Sequence, residues 1–121
     1  MTRSRASAKA AGARFERSIA DALAEHVDDR IDRRVKTGAA DKGDIAGIRV
    51  HGQRVAVETK DYGGRFHVGP WLGEAETERV NDNALVGIAI AKRVRHTNPL
   101  DQVAFMTVRD LIALITGSRP D

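Results

Sequence analysis

Residues 84–91 read A-L-V-G-I-A-I-A, an apolar run with no alternation. A strand with one face in water alternates apolar and polar side chains. An unbroken run of this length is a strand covered on both faces. That requirement constrains the fold more than any other feature, because a sheet layer must have helices on either side of it. The rest of the chain supplies them. Over 8–27 the apolar positions Phe15, Ile19, Ala22, Leu23 and His26 or Val27 recur at helical spacing, which predicts an amphipathic helix. Residues 30–36 alternate as a strand does. D-I-A-G-I-R-V (44–50) and R-V-A-V-E-T-K (54–60) flank H-G-Q and read as a hairpin. Pro70 suits the first turn of a helix running to about residue 83, with Trp71, Leu72, Ala75 and Val80 inward. A short strand is expected over 103–106, then a helix capped by Thr107 and ended by Gly117. The expected order is α-β-β-β-α-β-β-α, an α/β fold with a mixed β-sheet flanked by helices. Residues 1–121 form a single domain, with 1–7 expected to be a disordered basic arm.

Size and composition fit this. A 121-residue chain with 41% hydrophobic and 31% charged residues can bury an ordinary core. The absence of cysteine excludes disulfides and thiolate zinc sites. No apolar run reaches the ~18 residues of a membrane span, and 1–17 has no apolar stretch of signal-peptide type. The expected setting is therefore the cytoplasm, at the nucleoid, in a cell or in a phage-infected host, with no membrane partner. The net charge of +3 says little, but its distribution says more. Residues 1–20 carry Arg3, Arg5, Lys9, Arg14 and Arg17 against the single acid Glu16, and Lys92, Arg93 and Arg95 form a second group. Basic patches like these suit contact with phosphate backbones, although a solvated basic surface has the same composition. Aromatics make up only 4%, which argues against bases stacking on an aromatic platform.

The hairpin carries the chemistry. Residues two apart on a strand share a face, so Glu58 and Lys60 point the same way as Ala56, while Val55 and Val57 point the other way. Asp44 opens the first arm, and the turn brings it back beside the end of the second. Two carboxylates held close repel unless a cation lies between them. Mg²⁺, a hard ion satisfied by one or two carboxylates plus water and phosphate, suits such a pair. A lysine beside the cation is unfavourable until an anion arrives, and a phosphodiester is such an anion. Glu16 sits at the edge of the apolar stripe of the first helix, within reach of the same end of the hairpin. Each feature also has a plainer reading. E-x-K alone is most often a surface ion pair worth little, and Glu16 could simply pair with a nearby arginine.

Taken together, G-A-R-F-E-R (12–17), K-G-D-I-A-G (42–47) and V-E-T-K (57–60) resemble the motifs of the PD-(D/E)xK nuclease superfamily. Its small members, the archaeal-type and phage Holliday junction resolvases, look most similar. The resemblance covers roughly residues 12–93. It implies a restriction-endonuclease-like fold in which Asp44 and Glu58 ligate Mg²⁺, or Mn²⁺ in its place, with the backbone carbonyl of Thr59 as a further ligand. Lys60 would orient the attacking water or stabilise charge at phosphorus, and Glu16 would complete the acidic cluster. Thr37 is the nearest match to a hydroxyl residue of the resolvase loop. The superfamily's usual proline before the aspartate is replaced here by Gly43.

A four-way DNA junction is two-fold symmetric, and a 13.2 kDa chain is too small to span one. The expectation is therefore a homodimer on branched DNA, with no small organic cofactor. Arg3, Arg5, Lys9, Arg14, Thr37, Arg65, Lys92 and Arg93 are the expected DNA contacts. Two other readings stay open: another endonuclease of the same fold, such as a restriction-type enzyme or repair nickase, and a non-catalytic DNA-binding module. Trp71 is expected as a core anchor, His51 and His67 as surface residues, and Glu74, Glu76 and Glu78 as a solvated helix face, an approach of Glu74 to the metal site being an alternative that nothing in the sequence requires.

Overall fold

The computed structural model describes residues 3–36 and 38–121. The elements in chain order are α1 (Arg5–His26), β1 (Asp32–Arg33), β2 (Ile45–Ala46), β3 (Arg49–Val50), β4 (Gln53–Lys60), α2 (Val68–Asn81), β5 (Val86–Ala91), a 3-10 turn (Pro99–Asp101), β6 (Val103–Phe105) and α3 (Val108–Thr116). The sheet runs β1-β2-β4-β5-β6, with β3 also paired to β4. β4 and β5 are parallel over Val55–Lys60 and Val86–Ala91, and the other pairs are antiparallel. A parallel pair needs a crossover, and α2 supplies it.

Two clusters bury the two faces of the sheet. On one, Phe15, Ile19 and Ala20 of α1 pack with Val55 and Val57 of β4, Val86 of β5 and Ala113 of α3. On the other, Trp71 of α2 packs on Ala89 and Ala91, with Phe105 alongside. β5 is thus covered on both sides, as its unbroken apolar run requires. Its face toward α2 is lined by small residues because the helix lies very close. A Cβ at Gly87 would fall 2.4 Å from the carbonyl oxygen of Ala75.

Several boundaries differ from those expected. Ser4 caps α1 by accepting the Ser7 amide at 3.1 Å, so Arg5–Ser7 are helical rather than part of a disordered arm. Val27 and His26, at the end of that helix, are exposed. β1 shrinks to two residues, and Val35 beyond it is 82% exposed. The first arm of the hairpin is split into β2 and β3 at Gly47. There φ is +92°, and a Cβ would meet the Arg30 carbonyl oxygen at 2.9 Å. The break comes from that distant contact, which local spacing does not reveal. On α2 the buried stripe is Trp71, Ala75 and Glu78, while Val80, expected inward, is 60% exposed. α3 begins at its Thr107 cap, which accepts the Asp110 amide at 3.2 Å. It leaves Val108, Leu111, Ile112 and Ile115 in solvent. Among the described residues no helix is long and apolar enough to cross a membrane.

Candidate functional site

Asp44 lies just before β2 and is tied to both neighbouring strands. Its amide donates to the Val57 carbonyl at 2.8 Å, and its carbonyl accepts the Arg34 amide at 2.7 Å. The residue before it, Gly43, has φ +98°, and a Cβ there would lie 2.9 Å from the Val57 carbonyl oxygen. Glycine suits this position because the loop turns left-handed and presses on β4, a conformation closed to proline, whose φ is fixed near −65°. The Asp44 carboxylate is nearly buried. Oδ2 accepts from the amide and the hydroxyl of Thr59 at 2.8 and 3.1 Å. Oδ1 lies 3.3 Å from the Lys36 ammonium.

β4 directs its backbone groups alternately to its two edges. The carbonyls of Arg54 and Lys60 accept amides from Leu85 and Lys92 on the β5 side, whereas the Val55 amide, the Val57 carbonyl and the Thr59 amide face β2, β3 and Asp44. Since N–H and C=O of one strand residue share an edge, the Thr59 carbonyl lies on the Asp44 side.

Glu58 and Lys60 project together from the face of β4 that α2 covers, with only 13% and 11% of their side chains accessible. Lys60 Nζ lies 3.1 Å from Glu58 Oε1 and 2.5 Å from Glu74 Oε2 on α2. Burial by itself would lower the Lys60 pKa. The hydrogen bond to Glu74 and the charge and hydrogen bond of Glu58 outweigh it and raise the pKa, so the ammonium form is fixed. Glu74, expected on a solvated helix face, is half-exposed there and pairs with Lys60.

Glu16 on α1 joins the same electrostatic unit. Partial burial, then the nearby Asp44 charge, push its pKa up. Lys36 and Arg33 pull against them, and Glu58 adds a smaller upward push. Glu16, Asp44, Glu58 and Lys60 are thus brought together by three separate elements, α1, the β2 entry and β4.

The residue that sequence reasoning missed is Glu78. Expected on a solvated face, it is 2% exposed and faces Glu58 across the α2–β4 contact. Burial, then the hydrogen bond and charge of Glu58, push its carboxyl up to about 10, with Asp41 and Asp44 adding to the rise. Neither Glu58 Oε2 nor Glu78 Oε2 receives a hydrogen bond from any amide, hydroxyl or amine. A proton shared between them, a donor water or a bound cation would satisfy that pair. Asp41 completes a group of three whose ligand oxygens lie within 4.8 Å of one another, close enough to hold a metal ion. A signal was present in the sequence: Glu78 follows Trp71 and Ala75 at the i, i+4, i+7 spacing of one buried stripe.

Oxygen-only donors are what a hard divalent cation requires. Among the described residues the carboxylate oxygens close enough together for such an ion are those of Asp41, Glu58 and Glu78, whereas the carboxylate of Asp44, expected as a ligand, is held by Thr59 and Lys36.

A cleft of about 820 Å³ opens beside Thr59 and Lys60, bounded by Arg3, Tyr62 and Arg65. A second cavity shares Arg3 and Asp61 with it and adds Arg14 and Lys92. Not every expected DNA contact is equally free. Arg3 pairs with Asp61 at 3.2 Å. The Lys92 ammonium donates to the carbonyls of Arg93 and His96, and the Arg93 guanidinium donates to the Asp101 carbonyl. Arg5 and Lys9 stand exposed on α1 and line neither cavity. Thr37 lies outside the described residues. A further cavity, with Arg49, Arg54, Arg79 and Arg119, opens at the far end of β4 and contains none of the acids. Trp71 is buried, as a core anchor should be. His51, though exposed, bonds through Nε2 to the Leu114 carbonyl at 2.9 Å.

Comparison of the chain with protein-family models, with curated proteins and with solved structures found no match.

Proposed function

We propose that the protein is a Mg²⁺-dependent, structure-selective DNA endonuclease that resolves four-way junctions by paired hydrolysis of phosphodiester bonds. The observation that carries this reading is the pairing at the end of β4. A fixed ammonium at Lys60 lies beside Glu58, whose second carboxylate oxygen is buried without a donor. As a structural device this arrangement is poor, because burying a charge with incomplete partners is costly. For phosphate hydrolysis it is apt.

In this reading Asp44, Glu58 and the Thr59 carbonyl hold Mg²⁺, or Mn²⁺ in its place. The ion supplies an acidified water and offsets charge on the phosphate oxygens. Lys60 lies at the cleft wall, where its ammonium can leave Glu74 for a phosphate oxygen and stabilise the charge that grows as water attacks phosphorus and the bond to the leaving sugar oxygen breaks. Glu16 adds negative charge from the α1 side and completes the acidic cluster. Arg3, Arg14, Arg65 and Lys92 line cavities at or next to Lys60, where phosphates can be held without reading bases. Recognition is therefore of junction shape. The protein acts as a homodimer whose two sites match the two-fold symmetry of the junction, and the apolar side chains that α3 leaves in solvent give a second copy something to bury.

The test compares wild-type protein with Glu58→Ala and Lys60→Ala on labelled junction DNA. Both variants should bind the junction as the wild type does and cut it more slowly by about 10²–10³-fold or more, as losing a charge-stabilising group does. Chelation should abolish cutting by the wild type. Variants that cut at the wild-type rate would remove these residues from the chemistry and the proposal with them.

A further inference from the structure

The geometry points to a second divalent-cation position, held by Asp41, Glu58 and Glu78 on the α2 side of the sheet, next to the one assigned to Asp44, Glu58 and the Thr59 carbonyl. Three elements build it. Glu78 comes from the buried stripe of α2, Glu58 from β4, and Asp41 from the loop that precedes Asp44. That loop is held in place. The Asn81 side-chain amide donates to the Asp41 carbonyl at 2.6 Å, and Asp41 Oδ1 accepts the Gly43 amide at 2.9 Å.

Three carboxylates in proximity are not a site in themselves. What marks this one is Glu78, which is 2% exposed and carries an oxygen without any donor, as does Glu58 in the same cluster. The cations in the neighbourhood are engaged elsewhere. Lys60 contacts the other oxygen of Glu58, Lys36 pairs with Asp44, and Arg34 pairs with Asp82 at 3.2 Å. The three ligand oxygens lie within 4.8 Å of one another. An ion bonded to oxygens at roughly 2.0–2.6 Å spans donors up to about that distance. All-carboxylate donors with room for water on the exposed Asp41 side suit a hard ion such as Mg²⁺, Mn²⁺ or Ca²⁺, not a thiophilic one. Glu58 would be shared between the two positions.

The site depends on the proposed function only in sharing Glu58, and cation binding can be read without any DNA. Manganese is the probe. Free Mn²⁺ is counted by its paramagnetic resonance signal during titration of wild-type protein, Asp41→Asn, Glu78→Gln and Asp44→Asn. Loss of an outer-sphere partner alone weakens metal binding by about 10–100-fold, so loss of a ligand should cost at least about tenfold. The wild type should bind two ions. Asp41→Asn and Glu78→Gln should each weaken one and spare the other, and Asp44→Asn should weaken the ion they spare. Glutamine at 78 keeps the shape of a protonated glutamate, and Asp41 is exposed, so at least one of the two variants keeps the fold. If both variants bind Mn²⁺ as the wild type does, or if the wild type binds none or binds only an ion lost in Asp44→Asn, the second position is overturned. If the wild type fails to cut DNA while Glu78→Gln still loses one ion, the nuclease reading falls and the cation position stands.

Discussion

Glu78 shows how much a single side chain can reveal at the residue scale. Its carboxyl is buried against Glu58, and without a cation it keeps its proton to a pH of about 10, against 4.5 for an ordinary glutamate. The folded state therefore binds this proton more tightly than the unfolded state does. Below about pH 4.5 both states hold it, and its contribution to stability is complete. As pH rises from there toward 10 the unfolded chain releases the proton first, and stability declines across that window. The thermal midpoint of the protein in chelator should thus fall steadily as pH rises from about 5 to about 9, after allowing for the other groups. Glu78→Gln should flatten that fall. A flat profile for the wild type, or an unchanged slope in the variant, would show that Glu78 does not carry the proton. Lys60 runs the opposite way in charge: its two carboxylate partners hold the ammonium form, so within the neutral range its charge does not change.

At the scale of elements, the site exists because α2 lies almost in contact with β5. Gly87 permits that approach, and an added methyl group would meet the Ala75 carbonyl at 2.4 Å. Gly87→Ala should therefore push α2 outward, lower stability by about 1–3 kcal/mol as overpacking does, and loosen Glu74 and Glu78 from β4. Denaturant unfolding checks the first effect, and Mn²⁺ titration of the folded variant checks the second. Unchanged stability would mean that the helix is not held at this distance. Much of this arrangement was legible in the sequence. The unbroken run 84–91 required two covered faces, and the period of two along β4 put Glu58 and Lys60 on one of them. The two-strand form of the first hairpin arm was not legible, since Gly47 turns there to avoid Arg30, a contact outside any local window. The burial of Glu78 was legible only as its place on the Trp71–Ala75 stripe, a signal that its charge overrides. A charged helical residue is exposed by default, and only its partner on a different element draws it inside.

The whole molecule is small, basic on the side that bears the cleft, and exposes apolar residues on α3. A junction has two strands to cut, and the described residues of one chain hold one acidic cluster of this kind. In solution the protein should sediment as a two-fold dimer of 13.2 kDa chains; a mass of one chain at micromolar concentration would contradict the symmetry argument. The measurement that tests the central claim most directly is cleavage of an immobile four-way junction beside a linear duplex of matched sequence, each with Mg²⁺ and with chelator. The account predicts paired, symmetric nicks on the junction only, lost in chelator. Equal cutting of both substrates would contradict structure selectivity, and tight binding without any cutting would contradict the nuclease assignment itself.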